Sequence, residues 1–364
     1  MTKRIGLLTS GGDCAGLNAA IRAVTHHAIK NYGWKIFGIR KGTTGLLTRP
    51  LEYKELTVEF CDHSVLRSGG TLLGSTNRDD PFIFPNADGT KSNRSQEIIN
   101  GYHELGLDAL IGIGGDGSLR ILHQLAEQGD LNLVFIPKTI DNDVSNTEVA
   151  IGYSTALDIA TEALDRLQPT AASHQRIMIS EVMGRDAGHI ALESGIAGGA
   201  DIILVPEIPY KLSSIYQTIN SIRETGRDFA LVVVAESVKK EDGEVSSIQN
   251  ANGLPRYSGI GHYIAEKIHE ATGMETRVNV VGHVQRGGQP NARDRALATA
   301  FGVAAVDLVA QNKMGRMVSW QNCQVVDVAI SDVVQYNQEV DPNGTMARTA
   351  ESMGIYVGEL PEKK

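Results

Sequence analysis

The chain has 364 residues, 41% of them hydrophobic and 21% charged, enough apolar material for a substantial core in two ordinary domains and too much for global disorder. Lys and Arg total 34 against 43 Asp and Glu, a net charge of −9, so no net basic footprint exists for nucleic acid, although a local pocket for a small phosphorylated ligand is compatible with it. No apolar run approaches the ~20 residues that span a bilayer.

In chain order, the N-terminal MTKRIGLLTS runs at once into a strand, RIGLLT from Arg4, which predicts no signal peptide. LNAAIRAVTHHAIKNY reads as a helix, followed by the strand KIFGIR from Lys35. Then come the strand ALIGIG from Ala109, the helix SLRILHQLAE, the strand LVFIP from Leu133 and the helix TALDIATEALDRL. Further strands are RIMISEV from Arg176, DIILVPE from Asp201, ALVVVAES from Ala230 and RVNVVGHV from Arg277, with a last helix in RDRALATAFGVAAVDLVA. Continuous apolar strands alternating with amphipathic helices predict parallel sheets covered on both faces, with right-handed crossovers. Two polar stretches, near residues 84–95 and 239–256, read as insertions or loops. Cys14, Cys61 and Cys323 have no metal-ligand spacing. Free thiols in a reducing compartment, the cytoplasm, are expected.

Three motifs come directly after predicted strands, where open α/β sheets place their ligands. TSGGDCAGLN, Thr9 to Asn18, serves equally as a glycine-rich cradle that admits an anion to a helix N-terminus or as a tight turn capped by Asp13 or Asn18. IGIGGDGSLR, Ile111 to Arg120, offers Gly114, Gly115 and Gly117 as a side-chain-free cradle, Asp116 as a carboxylate for Mg²⁺ and Ser118 at the next helix. It lacks the Walker pattern, and the same loop occurs in lipid and NAD kinases, so it predicts nucleotide binding without naming the acceptor. PKTIDNDV, Pro137 to Val144, puts Asp141 and Asp143 two apart. In an extended segment both carboxylates face one way, one to accept a hydroxyl proton and one to orient it or face the metal. An Asx-rich turn is the alternative. Arg176, Arg185, Arg277, His283 and Arg286 cluster near predicted strand ends; arginine suits bidentate phosphate binding, and for any one of these arginines a surface ion pair in an acidic protein is an equal alternative.

These motifs, together with GGTLLGSTNRDDP, SHQR, EVMGRDAGH, IAGGADIILVPE, AES, ETRVNVVGHVQRGG and Asp294–Arg295, resemble the 6-phosphofructokinases in order and content, from Arg4 to about Asn312, with a bacterial, cyanobacterial-type character. PKTIDND with MGRDAGH is the specific pairing. The resemblance implies an α/β protein of two Rossmann-like three-layer lobes with mostly parallel sheets and the active site in the cleft between them. The donor lobe would hold residues 1–152 with about 285–335, and the fructose 6-phosphate lobe 153–284 with about 336–364. It implies Mg²⁺-dependent phosphoryl transfer from ATP to the 1-hydroxyl of fructose 6-phosphate, a step of glycolysis.

By the same resemblance Asp141 is the base, supported by Asp143 and Thr139, and Arg185 stabilises the transferring group. The backbone at Gly12 meets the terminal phosphate, and Asp116 is the metal-linked carboxylate. ATP contacts are Gly12, Arg78, Gly115, Asp116, Gly117, Ser118 and Lys138. Sugar contacts are Thr139, Asp141, Arg176, Met183, Gly184, Arg185, Glu236, Arg277, His283 and Arg286. The Arg176 and Arg277 equivalents reach in from a neighbouring subunit, which implies a homo-oligomer, dimer or tetramer, with shared sites. Asn77 stands where ATP enzymes carry Arg, with Arg78 beside it, and Lys138 replaces the usual Gly of ATP enzymes and is typical of pyrophosphate enzymes, though found in some ATP-using members as well. Arg22 is kept, but His26, Gln168 and Asp201 replace expected effector residues, so known allosteric ligands do not carry over. Two other readings stand beside the ATP enzyme: a pyrophosphate-dependent phosphofructokinase and a catalytically silent phosphate-binding subunit.

Overall fold

The computed structural model describes residues 2–76, 80–86, 88–249 and 255–362. Its principal strands are β1 (Arg4–Thr9), β2 (Lys35–Ile39), β3 (Tyr53–Leu56), β4 (Ala109–Gly114), β5 (Leu133–Thr139), β6 (Ile177–Val182), β7 (Ile202–Leu204), β8 (Ala230–Ala235), β9 (Thr276–Val280), β10 (Arg316–Gln321) and β11 (Gln324–Ala329). The helices nearest the motif loops are α1 (Leu17–Tyr32), α2 (Asp116–Gly129), α3 (Tyr153–His174), α4 (His189–Ala197) and α5 (Ala292–Ala310). The chain divides into two compact units, residues 1–155 with 286–338 and residues 156–285 with 339–364.

The first unit is built on one sheet, ordered β11-β10-β5-β4-β1-β2-β3. Its pairs are parallel from β10 through β2, with antiparallel strands β11 and β3 at the two edges. Strands β4 and β5 are buried along their whole length, as their uninterrupted apolar runs require, because helices cover both faces. On one face Phe37, Leu119, Leu122, Leu125 and Phe135 pack into a single core. On the other, α1 and α5 approach so closely that a Cβ on Gly302 would lie 2.7 Å from that of Ala23.

The second unit has a four-stranded sheet, β7-β8-β6-β9, parallel throughout. β9 is its edge strand and is only partly covered. The expected strand RVNVVGHV is shorter than its apolar run: it ends at Val280, and Gly282, at φ 53°, turns the chain into a 3-10 helix, Gly282–Arg286. DIILVPE likewise pairs only over Ile202–Leu204, ahead of Pro206, which has no N–H to give a ladder. The expected strand LVFIP, in contrast, runs on to Thr139, its last two residues pairing with Ile151 and Gly152. Among the described residues no helix is long and apolar enough to cross a membrane.

Candidate active site

In the first unit the three loops leave the carboxyl ends of three adjacent parallel strands: Ser10–Asp13 after β1, Gly115–Ser118 after β4, and Ile140–Val144 after β5. Register sets them side by side, because Thr9 lies opposite Ile113 and Gly114 opposite Pro137. The Ser118 hydroxyl donates to the Ser10 hydroxyl at 3.0 Å, and Ser10 N–H donates to the Ile113 carbonyl at 2.9 Å. Lys138 is 2% exposed, and its ammonium donates to the carbonyl of Gly12. Burial pulls its pKa below the ordinary lysine value, against the opposing pull of Asp141 and Asp13. Burial also pushes the Cys14 thiol up to about 12, so this cysteine is a small apolar packing group rather than a thiolate.

A side chain at Gly12 would have to displace the Arg286 guanidinium. A Cβ there would sit 2.6 Å from Nη1 of Arg286, which donates to the Asp13 carbonyl at 3.1 Å. Arg286, expected at the sugar, therefore lies on the Gly12–Asp13 loop. Gly117 differs: no atom stands within 4 Å of its missing Cβ. Neither Asp13 nor Asn18 caps α1. Gly16 holds that position, and the Asn18 side chain instead donates to the Ser68 and Gly69 carbonyls and accepts from Leu72 N–H.

Thr139, Asp141 and Asp143 are all buried, and Asp141 N–H donates to the Thr139 hydroxyl at 3.1 Å. Between Asp141 and Asp143 the segment is not extended, contrary to expectation. Asn142 takes φ 54° and is pinned there, its side chain donating to the Glu148 carbonyl and accepting from Ala150 N–H. Side-chain alternation along a strand thus does not set the direction of the two carboxylates. Asp143 is braced from the backbone by Gln338 N–H at 2.8 Å, and Asp116, Arg120, Asp143 and Asn337 line one small cavity.

In the second unit Met183–Gly188 leaves the carboxyl end of β6, Glu236 comes directly after β8 and His283 shortly after β9. Gln285 accepts from Met183 N–H at 2.8 Å and Glu236 from Arg185 N–H at 3.1 Å. Arg185 itself adopts φ 54° next to Gly184 at φ 149°, a conformation that costs free energy and persists only where neighbours over-determine it. Tyr257 donates to the Asp186 carboxylate at 2.6 Å, and that bond, with burial, raises the tyrosine pKa to about 12. Arg176 and Arg277 lie elsewhere. They stand at the amino end of the same sheet, where both pair with Glu275, Arg176 at 2.8 Å. Arg78 lies outside the described residues.

A model of the phosphofructokinase family matches residues 4–309. The chain belongs to the phosphofructokinase family. A Synechocystis protein, ATP-dependent 6-phosphofructokinase 1, is 57% identical over 357 residues covering 98% of each chain, in keeping with the cyanobacterial character of the motifs. Among solved structures, Pichia pastoris phosphofructokinase in the T-state superposes with a TM-score of 0.79 at 31% identity; the match spans 98% of this chain but 37% of that longer one. A pyrophosphate-dependent phosphofructokinase from Nitrosospira multiformis gives a TM-score of 0.80 over 100% of this chain and 94% of its own, at 20% identity, which is a likeness of fold.

Within this phosphofructokinase two of the residues that brace the motifs, Ser10 and Gln285, are ones that sequence pattern did not single out. Ser10 joins two loops, and Gln285 holds the arginine loop from within GHVQRGG. Asp294, fully buried at the start of α5, accepts from Gly152 N–H, Thr155 N–H and the Thr155 hydroxyl at 2.6–2.9 Å. Its sequence signal was the Asp294–Arg295 pair. Among the described residues no group of three or more His, Cys, Asp or Glu is arranged to hold a metal. The donor set suits Mg²⁺ held by the Asp116 carboxylate, water and substrate phosphate oxygens, which is how this cation is ordinarily bound.

Proposed function

We propose that this chain is an ATP-dependent 6-phosphofructokinase of glycolysis, working in the cytoplasm and transferring the γ-phosphoryl group of ATP to the 1-hydroxyl of fructose 6-phosphate. The observation that carries the reading is the buried Thr139–Asp141–Asp143 loop standing beside the glycine cradle Gly114–Gly117 on adjacent strands. Such a pairing supplies what phosphoryl transfer needs, a base next to an anion cradle.

Asp141 takes the proton from the 1-hydroxyl as its oxygen forms the bond to the γ-phosphorus, while the bond from that phosphorus to the β–γ bridging oxygen breaks and ADP leaves. Thr139 fixes the Asp141 backbone, and Asp143, held by Gln338, keeps the loop closed. The donor lies along Gly12, Gly115, Asp116, Gly117 and Ser118, with the Lys138 ammonium behind Gly12 and Arg78 as a further contact. When bound at Asp116, Mg²⁺ neutralises charge on the donor phosphates. Arg185 stabilises charge on the group in transit, Met183, Gly184, Glu236 and His283 serve the sugar phosphate, and Arg286, set against the Gly12–Asp13 loop, borders the donor side. Arg176 and Arg277 complete that set from a neighbouring copy, which makes the working enzyme a homo-oligomer.

Lys138 favours one second reading, pyrophosphate as donor, because a buried ammonium suits either anion. A coupled assay of fructose 1,6-bisphosphate formation with Mg·ATP and with Mg·pyrophosphate separates the two. ATP is expected to be the better donor. No activity with either donor would leave the silent phosphate-binding subunit.

A further inference from the structure

Glu207 lies three residues beyond β7 and has no place in the donor or sugar sites. One of its carboxylate oxygens accepts two backbone N–H bonds, from Gly188 and from Val340, each at 2.9 Å. The other oxygen is buried without a hydrogen-bond partner and packs where Gly188 lacks a side chain; a Cβ on Gly188 would come within 2.7 Å of it and 2.4 Å of the Val205 Cβ. Gly188 is the residue before α4, and that helix has neither a capping side chain of its own nor an acid in its first turn. Glu207 thus supplies, from a distant strand end, the anion that a helix N-terminus calls for. A charge-assisted bond of this kind is about twice as strong as a neutral one.

The position matters because Gly188 closes the loop that begins at Met183. That loop holds Arg185 in a left-handed conformation, and within it Ala187 N–H donates to the Gly184 carbonyl. Side chains from outside the loop hold it further: Gln285 accepts at Met183, Glu236 at Arg185 and Glu207 at Gly188, and Tyr257 donates to Asp186. We infer that Glu207 is a positioning residue that acts through Arg185, anchoring the far end of the arginine loop and tying it to the C-terminal segment at Val340. The inference rests on the reading of Arg185 as the residue that stabilises the transferring group.

The test is a double-mutant cycle on the full chain, with kcat and KM measured for Mg·ATP and fructose 6-phosphate. Arg185→Ala alone checks the underlying reading; if it keeps wild-type kcat, that reading fails whatever Glu207 does. Given its loss, Glu207→Ala is expected to lower kcat about tenfold or more with the KM for ATP within about twofold, a pattern that marks an interaction made in the transition state. Glu207→Gln keeps an acceptor oxygen without the charge and is expected to lose less, about threefold. In the Arg185→Ala background neither change is expected to lower kcat further, since residues acting as one unit are not additive. Should Glu207→Ala not fold, the Gln variant in the two backgrounds carries the same comparison. Equal losses with and without Arg185, or a lowered Tm with unchanged kcat, would show that Glu207 only holds the fold.

Discussion

Lys138 donates its ammonium to the carbonyl of Gly12, from a site that leaves the lysine 2% exposed. The cation is thereby spent partly on the loop that would cradle the donor, so its removal reaches both loop geometry and phosphate affinity. Lys138→Met is expected to raise the KM for ATP several-fold, with a smaller effect on the KM for fructose 6-phosphate. The pH dependence has a definite sign. Burial lowers this lysine's pKa, so the ammonium is lost at lower pH than that of an ordinary lysine, and ATP affinity is expected to fall as pH rises through the lowered value. Folding stability moves the other way across the window between that value and the ordinary lysine pKa, because there the unfolded chain holds the extra proton. Titrating ATP binding and denaturant stability of wild type against Lys138→Met reads both slopes; a flat difference in both would remove the lysine from the donor site.

Asp141→Ala removes proton acceptance while leaving the cradle intact. General-base contributions run at roughly 10²–10⁴-fold, so kcat is expected to fall by that order with little change in the KM for fructose 6-phosphate. Steady-state kinetics decide it: a variant that kept more than about half of wild-type kcat would take Asp141 out of the mechanism.

The sheet cores and the three loops of the first unit were legible because each signal was local. Apolar runs announced β1, β4 and β5, and glycine-rich or Asp-rich segments announced the loops at their carboxyl ends. The antiparallel edges were not legible: β3, YKEL, has three exposed residues in four, and β10 with β11 form a hairpin whose sequence carries no strong turn dipeptide. Nor was the direction of Asp141 and Asp143, since the left-handed turn at Asn142 depends on bonds to Glu148 and Ala150 further along the chain. The same holds for Glu207, whose meaning comes from Gly188 and Val340, 19 and 133 residues away.

Arg176 and Arg277 are separated from Met183 and Arg185 by the length of β6, about 20 Å for six or seven residues in extended conformation, further than an arginine side chain spans. Their shared partner Glu275 holds them at the amino end of the sheet, beside the exposed strand β9. A role for them in sugar binding therefore calls for a neighbouring subunit's pocket. Hybrids of inactive Arg277→Ala and Asp141→Ala chains are expected to recover activity after co-expression, because some sites then receive both intact residues. Verified hybrids that stayed inactive would show that the arginines do not act in trans.

Tyr257 offers a separate measurement at the arginine loop. Its bond to Asp186 raises its pKa to about 12, so the neutral phenol is what the fold stabilises. Tyr257→Phe is expected to cost about 1 kcal/mol at neutral pH, a partly exposed hydrogen bond to a carboxylate. That contribution is fully present below the ordinary tyrosine pKa and is lost as pH rises through the raised value. Denaturant unfolding of both proteins across this range checks it: a stability gap that failed to close at the alkaline end would assign the effect to packing instead.

Donor choice turns on Gly117. Nothing stands within 4 Å of where its Cβ would be, so the space beside the cradle is open to the α-phosphate and ribose of ATP. An aspartate there would fill that space and place negative charge against the α-phosphate, which pyrophosphate lacks. The same substitution is benign for the fold. Gly117 is the second residue of α2, and an acid in a helix's first turn is favourable to the macrodipole. Loss of ATP use in Gly117→Asp is therefore expected without loss of Tm. Lys138 attracts both donors, and rejection through a clash and an unpaired charge discriminates more firmly than a shared attraction. Wild type is expected to favour ATP over pyrophosphate by at least about tenfold in kcat/KM, about 1.4 kcal/mol. Gly117→Asp is expected to erase most of that margin by lowering the ATP value alone. Wild-type turnover with pyrophosphate equal to that with ATP would make Lys138 the deciding residue, and an equal fall for both donors in Gly117→Asp would show that the cradle, not the α-phosphate, had been disturbed.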